Sequence, residues 1–172
     1  MKHAYLIITT GILCLAALSS CEKEDAPDNV IKQNEKKATE FKTKVLSKGF
    51  VVTKFWADKP IDYITTDTEV KSETDLNQYI YEYLKDDRIK LLPDGKMEIH
   101  QNALKKMGND TAVLKRNWNI FSNRAGVYFD FVDDKYEDRR YRVEEFHEDH
   151  FIVYLDWPAN DARIFSRFEF KD

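Results

Sequence analysis

The chain has 172 residues, with 27 basic and 31 acidic side chains and a formal net charge of −4 at pH 7. This length suits a single domain with a real hydrophobic core. A mildly acidic chain without a block of basic residues argues against a nucleic-acid partner and against electrostatic binding to a membrane.

The chain begins with a secretory-signal pattern. Lys2 and His3 precede an apolar run from Ala4 to Leu18, which is shorter than the about 20 apolar residues of a spanning helix. The run ends in a segment that resembles the lipobox of bacterial lipoproteins, formed by Leu18, Ser19, Ser20 and Cys21. The resemblance implies that residues 1–20 are a signal peptide removed before Cys21. The alternative is a signal peptide cut elsewhere, which leaves a free thiol at Cys21.

The resemblance also implies a membrane partner. Cys21 would carry fatty chains such as palmitate, and two or more chains give stable anchoring. The other cysteine, Cys14, lies in the discarded segment, so the mature chain would have neither a disulfide nor a Cys metal ligand. Lys23, Glu24 and Asp25 resemble the surface-export signal of bacteroidetes-type lipoproteins, which implies an outer-membrane protein exposed at the cell surface. The alternatives are a charged tether without a signal and a place on the inner leaflet of the outer membrane.

A polar tether and a helix are expected next. Residues 21–30 are polar and contain Pro27, which indicates a flexible tether. Ala38, Phe41 and Val45 are spaced by three and four residues, and a glycine follows at position 49, so a helix is predicted over Ile31–Ser47 within segment 31–48. Its apolar stripe is thin. We therefore expect it to lie on the domain surface or to plug one end of the domain.

Residues 49–172 are predicted to form the domain. Phe50–Trp56 alternates as a first strand, which residues 58–60 should end. Ser72–Asp75 resembles a capping box, and apolar residues follow at helical spacing, so a short helix is predicted over Glu73–Leu84. Alternating tyrosines in that segment leave a strand as the competing interpretation.

The rest of the domain shows β patterns. Asp94-Gly95 between two alternating runs predicts a hairpin. From Lys115 onward, alternating segments follow at intervals of eight to twelve residues, which favours a sandwich or a barrel. The expected strands are 116–121, 126–132, 138–146, 151–157 and a last strand ending near Phe170.

The segments Asp87–Ile89 and Leu92–Lys96, together with Trp118, resemble the lipocalin-like domains of small bacteroidetes-type lipoproteins. The resemblance implies a mainly β fold, in which an antiparallel meander closes into a lipocalin-like, or calycin-like, barrel with an N-terminal helix and one inserted short helix. It implies a non-catalytic binding or interaction module for a small apolar ligand or an envelope protein, without a cofactor. Inward aromatic residues would line a cavity or fill it: Trp118, Phe129, Phe131, Tyr141, Phe151 and Trp157.

Other candidate sites have ordinary alternatives. His147 and His150 are candidate metal ligands, but two histidines three apart in a hairpin do not reliably converge, so an exposed turn is the expectation. Arg139, Arg140 and Arg142 share no single face, which favours a solvated strand over an anion or sugar site. Asp110 to Ala112 resembles an O-glycosylation acceptor in exported bacteroidetes-type proteins, with Thr111 as the modified residue, although short motifs also occur by chance.

No nucleophile, base and orienting group occur in a recognisable pattern, so no catalytic residue is predicted. Two other functions remain open at this point. One is an accessory subunit or inhibitor of another envelope protein. The other is a hydrolase acting on glycans or peptides, which would need a cleft with two facing carboxylates.

Overall fold

A computed structural model describes residues 27–64, 70–80, 85–103, 112–132 and 138–172. These residues form one α-helix and nine β-strands, so the expectation of a mainly β chain with an N-terminal helix is confirmed. The helix α1 is Pro27–Ser47, and the strands are β1 Gly49–Ile64, β2 Val70–Asp75, β3 Arg88–Leu91, β4 Lys96–His100, β5 Val113–Asn123, β6 Gly126–Val132, β7 Asp138–Phe146, β8 His150–Trp157 and β9 Ala162–Lys171. Within the described residues, no helix is both long and apolar enough to cross a bilayer.

The strands form one antiparallel sheet whose pairing returns to its start. From β3 to β9 each strand pairs with the next, and β1 pairs with both β3 and β9, which gives a ring of hydrogen-bonded strands. Strand β2 is bound only along the second half of β1, from Trp56 to Ile64. It therefore lies beside the ring as an additional strand.

Helix α1 begins earlier than expected. It starts at Pro27, so residues 27–30 of the expected 21–30 tether are helical. Proline is favoured at the first helical position, and Asp28 in the first turn interacts favourably with the helix dipole. The predicted stripe is correct in its spacing, because Ala38, Phe41 and Val45 are all buried.

Strand β1 does not end where the sequence predicted. It continues through Asp58–Pro60 to Ile64, and its register against β2 shifts between Trp56 and Ile61. A bulge of this kind accommodates Pro60, which has no N–H group for the ladder. The expected break is therefore an irregularity within one long strand.

The short helix predicted over Glu73–Leu84 is wrong for the described part of that segment. Residues up to Asp75 belong to β2, and Asn77–Tyr79 is a single 3-10 turn; residues 81–84 lie outside the description. The backbone N–H of Phe55 donates to Asn77 Oδ1 at 2.8 Å, and the N–H of Leu76 donates to the Phe55 carbonyl at 3.0 Å. Pairing with β1 therefore outweighs the local capping box and the helical period.

The predicted Asp-Gly hairpin joins β3 and β4. Gly95 adopts a left-handed φ of 79°, which a side chain would disfavour. The N–H of Leu92 donates to the Lys96 carbonyl at 2.7 Å and closes the turn. The indole Nε1 of Trp118 donates to the carbonyls of both Leu92, at 3.0 Å, and Lys96, at 2.7 Å. The hairpin is thus fastened to the neighbouring strand β5.

Candidate functional site

The interior of the sheet is occupied by aromatic side chains. Phe41 of α1 is 0% exposed, and its ring centroid lies 5.3 Å from that of Phe151 and 6.1 Å from that of Phe129. The Phe151 ring in turn lies 5.0 Å from Phe50 and 4.9 Å from Phe168. These rings are in contact, so the helix places a side chain in the volume inside the ring of strands, among the packed aromatic residues.

Five of the six predicted cavity-lining residues lie in this core. They are buried in the core cluster or partly buried against it: Trp118, Phe129, Phe131, Tyr141 and Phe151. The prediction for Trp157 is wrong, because its side chain is 40% exposed. Trp157 is the last residue of β8 and pairs with Ala162 beside the β8–β9 turn, at a distance from the core cluster along the strand.

Trp157 lines a pocket on the surface. The pocket has a volume of about 350 Å³ and is lined by Asp58, Lys59, Asp156, Trp157, Pro158, Asp161, Ala162 and Arg163. Lys59 Nζ lies 2.8 Å from Asp161 Oδ2, and Arg163 Nε lies 2.8 Å from Asp58 Oδ2. Asp161 has a left-handed φ of 46°, in a region that aspartate tolerates better than most residues. The pocket therefore combines an exposed indole with ion pairs that fix its polar side.

Basic neighbours favour the charged form of the two paired carboxyl groups of the pocket. Hydrogen bonds from the backbone and side chain of Arg163 lower the pKa of Asp58, and the hydrogen bond from Lys59 lowers the pKa of Asp161. Glycoside hydrolysis by two carboxyl groups needs one with a raised pKa, which keeps its proton at neutral pH. The pKa shifts of Asp58 and Asp161 run in the opposite direction.

A row of cross-strand pairs crosses the outer face of six strands. We call this set the outer row; each member lies directly opposite the next, in the order Trp56, Phe165, Tyr154, Arg142, Tyr128 and Phe121. Trp56 stacks on Phe165 at 5.2 Å with an interplanar angle of 10°, and Phe121 stacks on Tyr128 at 5.2 Å and 14°. Such directly opposed pairs stabilise a sheet.

Basic side chains cover the aromatic rings of the outer row. The charged group of Lys54 lies 5.0 Å from the Trp56 ring centroid, Arg142 lies 5.9 Å from Tyr154, and Arg140 lies 4.9 Å from Phe121. Arg163 covers both Tyr154 and Phe165, and it also lines the Trp157 pocket. The outer row and the pocket are therefore parts of one surface.

The positive charges of this surface are only partly neutralised. Arg163 pairs with Asp58, and Arg140 pairs with Asp130 at 3.1 Å. Across the part of the chain that the structure describes, Lys54 and Arg142 contact aromatic rings but no carboxylate within ion-pair distance. Lys54 and Arg142 therefore contribute positive charge to this face.

The turn between β7 and β8 brings both candidate metal ligands together with a third residue. His147 Nε2 lies 3.5 Å from Glu145 Oε2, and His150 Nε2 lies 3.8 Å from Glu145 Oε1. The two imidazole rings lie 4.7 Å apart at an interplanar angle of 26°. The expectation that these histidines do not converge is wrong. A register shift at the end of β7, between Val143 and Glu145, turns the glutamate toward them.

Contacts to both neighbouring elements fix this turn. The N–H of His147 donates to the His150 carbonyl at 2.8 Å, and the N–H of Phe170 on β9 donates to the Asp149 carbonyl at 2.8 Å. Lys44 of α1 binds Glu148 at 2.6 Å, which lowers the pKa of Glu148. The turn is therefore held in one shape by the sheet and by the helix.

The carboxyl group of Asp87, the residue immediately before β3 in the chain, is buried. Asp87 is 2% exposed, and among the described residues neither of its oxygens accepts a hydrogen bond of good geometry, although the backbone N–H of Asn102 is close enough to lower its pKa. Burial, reinforced by the charge of Asp86, raises the pKa of Asp87 to about 6. An uncompensated buried carboxylate destabilises the folded state at neutral pH.

The remaining predicted site residues lie outside the described part of the chain. They are the lipobox residues Leu18, Ser19, Ser20 and Cys21, the export-signal residues Lys23, Glu24 and Asp25, and the candidate glycosylation site Thr111.

Two features were missed from the sequence. The outer row depends on the register between six strands, which alternation within one strand does not reveal. Glu145 joins the histidines through a bulge, although the dense run of His, Glu and Asp in that turn is a signal that could have indicated the cluster. Comparison of the chain with models of known protein families, with curated proteins and with solved structures finds no match.

Proposed function

We propose that this chain is a lipid-anchored outer-membrane lipoprotein, exposed at the cell surface, that acts as a non-catalytic module binding another envelope protein. The anchor rests on the lipobox-like segment ending at Cys21, and surface exposure rests on Lys23, Glu24 and Asp25. Intact-mass analysis of membrane-extracted protein tests the anchor, because a thioether-linked lipid at Cys21 adds a defined mass to a chain beginning at that residue.

The finer fold that we propose is a lipocalin-like barrel. Consecutive antiparallel pairing from β3 to β9, with β1 joining the two ends, is the connectivity of an up-and-down β-barrel. An N-terminal helix packed into the interior and an additional strand beside β1 would be the particular features of this chain.

The observation that carries the proposed binding mode is the position of Phe41. Because this side chain occupies the interior among Phe129, Phe151 and Phe50, a small apolar ligand inside the sheet would have to displace it. The outer face instead offers Trp157, the surface pocket and the outer row. An exposed aromatic side chain beside arginines has the composition of a protein-binding surface.

The charge of the outer row indicates the chemistry of the partner. Lys54 and Arg142 lack a carboxylate partner among the described residues, and their charged groups lie over the rings of Trp56 and Tyr154. Exposed carboxylates on a partner surface would pair with these charges, and apolar groups beside them would cover the partly exposed rings of Trp56, Tyr128 and Phe121. The rings of Tyr154 and Phe165 are already buried. We therefore propose an acidic surface on the partner protein.

Cross-linking on intact cells, followed by recovery of the complex from detergent-solubilised membranes, tests this function. Wild-type protein should recover one partner in a fixed ratio, and Arg142→Glu should reduce that recovery at least tenfold. The matched control is Arg124→Glu, which makes the same charge change at the exposed β5–β6 turn outside the outer row and should recover the partner like wild type. Equal recovery by both variants would exclude the outer row as the binding surface.

A further inference from the structure

We propose that Glu145, His147 and His150 form a binding site for a divalent transition-metal ion, with zinc as the ion that suits the ligands best. The three donor groups lie within 4.8 Å of one another. In a tetrahedral zinc site, with ligand distances of about 2.0–2.2 Å, neighbouring ligand atoms are separated by roughly 3.4 Å. The separations of 3.5 Å and 3.8 Å between Glu145 and the two histidines are close to that value.

The hydrogen bond between His150 and Asp149 orients the His150 ring and favours the tautomer that can bind a metal ion through Nε2. His150 Nδ1 lies 2.7 Å from Asp149 Oδ1. A carboxylate only accepts, so Nδ1 is the nitrogen that carries the proton, and Nε2 is left with a free lone pair in the neutral ring. This Nε2 atom belongs to the cluster, with Glu145 Oε1 3.8 Å away. A carboxylate that orients a ligating histidine in this way is a common second partner in zinc sites.

Burial and charge at the turn agree with a bound dication. The His150 side chain is 14% exposed, whereas those of Glu145 and His147 are 47% and 52% exposed. One ligand is therefore held by the fold, and the other two are accessible from solvent. Asp149 and Glu145 both add negative charge beside the imidazoles, and Glu148 is neutralised by Lys44. Two imidazole nitrogens and a carboxylate, with a second carboxylate behind them, form a ligand set that suits a cation of charge two.

The rigidity of the turn limits the cost of assembling the site. Backbone hydrogen bonds join His147 to His150 and Asp149 to Phe170, and Lys44 holds the turn to α1. Three protein ligands leave at least one coordination position for water or for a ligand from another molecule. Nitrogen and carboxylate ligands of this kind also bind Ni²⁺ and Cu²⁺, with Cu²⁺ the tightest of the series.

Isothermal titration of Zn²⁺ into metal-free protein tests the site. The protein is extracted from membranes, carries no polyhistidine tag and has any free thiol alkylated, so that only the chain's own imidazoles and carboxylates can bind. We expect one equivalent of Zn²⁺ to bind. His150→Ala and Glu145→Gln should each weaken the affinity at least tenfold, and Asp149→Asn should weaken it by about 10–100-fold, because Asp149 orients a ligand.

The matched control is His100→Ala. His100 lies on β4 beside Glu98, with 3.2 Å between Nε2 and Oε2, and it repeats the His–Glu pairing without a second histidine. This variant should bind Zn²⁺ like wild type. Circular dichroism confirms that each variant is folded, and a folded His150→Ala protein that binds Zn²⁺ as tightly as wild type would overturn the proposal. Binding lost equally in His100→Ala would overturn it as well.

Discussion

The rings of Phe41 and Phe151 meet edge to face, with centroids 5.3 Å apart and an interplanar angle of 70°. One ring belongs to the N-terminal helix and the other to the middle of β8, and both are 0% exposed. The helix is therefore part of the core, and the sheet does not enclose a separate ligand chamber at this position.

Replacing Phe41 by alanine should strongly destabilise the domain. Removal of a fully buried phenylalanine costs about 3–5 kcal/mol of unfolding free energy, through lost burial and the cavity left behind. Urea unfolding followed by tryptophan fluorescence measures the change. The control is Ile31→Ala on the same helix, whose side chain is exposed and whose loss should change the unfolding free energy by about 0.5 kcal/mol or less. A similar small effect for both variants would show that the helix is not part of the core.

Replacing Trp118 by phenylalanine should loosen the Asp-Gly hairpin. The substitution keeps an aromatic ring but removes the Nε1 donor, so the carbonyls of Leu92 and Lys96 each lose one hydrogen bond. Both carbonyls keep a backbone donor, because the N–H of Gly95 donates to the Leu92 carbonyl at 3.2 Å and the N–H of Leu92 donates to the Lys96 carbonyl at 2.7 Å. Each lost indole hydrogen bond should therefore lower the unfolding free energy by about 0.5–1.5 kcal/mol. Hydrogen exchange of the Gly95 amide should also become faster. Trp157→Phe, at an exposed position, is the control and should leave both measurements close to wild type.

Replacing Asp87 by asparagine should stabilise the protein in a way that depends on pH. The pKa of Asp87 is raised from 3.8 to about 6, so the folded state binds its proton more tightly than the unfolded state does. The wild type therefore loses stability as pH rises from 3.8 toward 6, and the full penalty is present above pH 6. At 1.36 kcal/mol per pKa unit, the penalty is on the order of 3 kcal/mol.

Unfolding experiments at pH 7.5 and pH 4 check this prediction. Asp87→Asn should be more stable than wild type by about 1–3 kcal/mol at pH 7.5, and the difference should nearly vanish at pH 4. A variant that is equally or less stable than wild type at pH 7.5 would show that the carboxylate has a partner that stabilises its charged form.

Replacing Cys21 by alanine should release the protein from membranes. Without the sulfur there is no acceptor for a lipid, and the acidic chain has no basic block to hold it at an anionic surface. Fractionation of cells, followed by immunoblotting of the membrane and soluble fractions, measures the outcome. Ser20→Ala, which keeps a small residue beside the cysteine, is the control and should leave the protein in the membrane fraction.

Sequence patterns correctly predicted the parts of the fold that depend on interactions between residues close in the chain. The helical stripe of Phe41, the left-handed turn at Gly95 and the alternating strands from Val113 onward depend on residues close in the chain. The helix prediction around Glu73 was wrong because this segment pairs with β1, which is distant in the sequence, and that pairing determines its conformation. The prediction that Trp157 lines the interior was wrong. Alternation shows which face of the sheet a side chain lies on, but it does not show how far along the strand the core extends.

For the candidate sites too, the residue types could be identified from the sequence, but their spatial arrangement could not. His147 and His150 were identified from composition, but their distance depends on a bulge at Glu145 that the sequence does not mark. The outer row needs the register of six strands, and each pair is fixed only when the ring of strands is assembled. Asp87 was seen only as part of a motif, because its burial depends on neighbours far apart in the chain.

Native mass spectrometry of membrane-extracted protein tests most directly whether binding uses the outer surface and not the interior. We expect a single species whose mass equals the polypeptide from Cys21 plus its lipid, with no co-purifying small apolar molecule, because Phe41 occupies the interior. A stoichiometric apolar ligand that remains bound to the wild-type protein would contradict it.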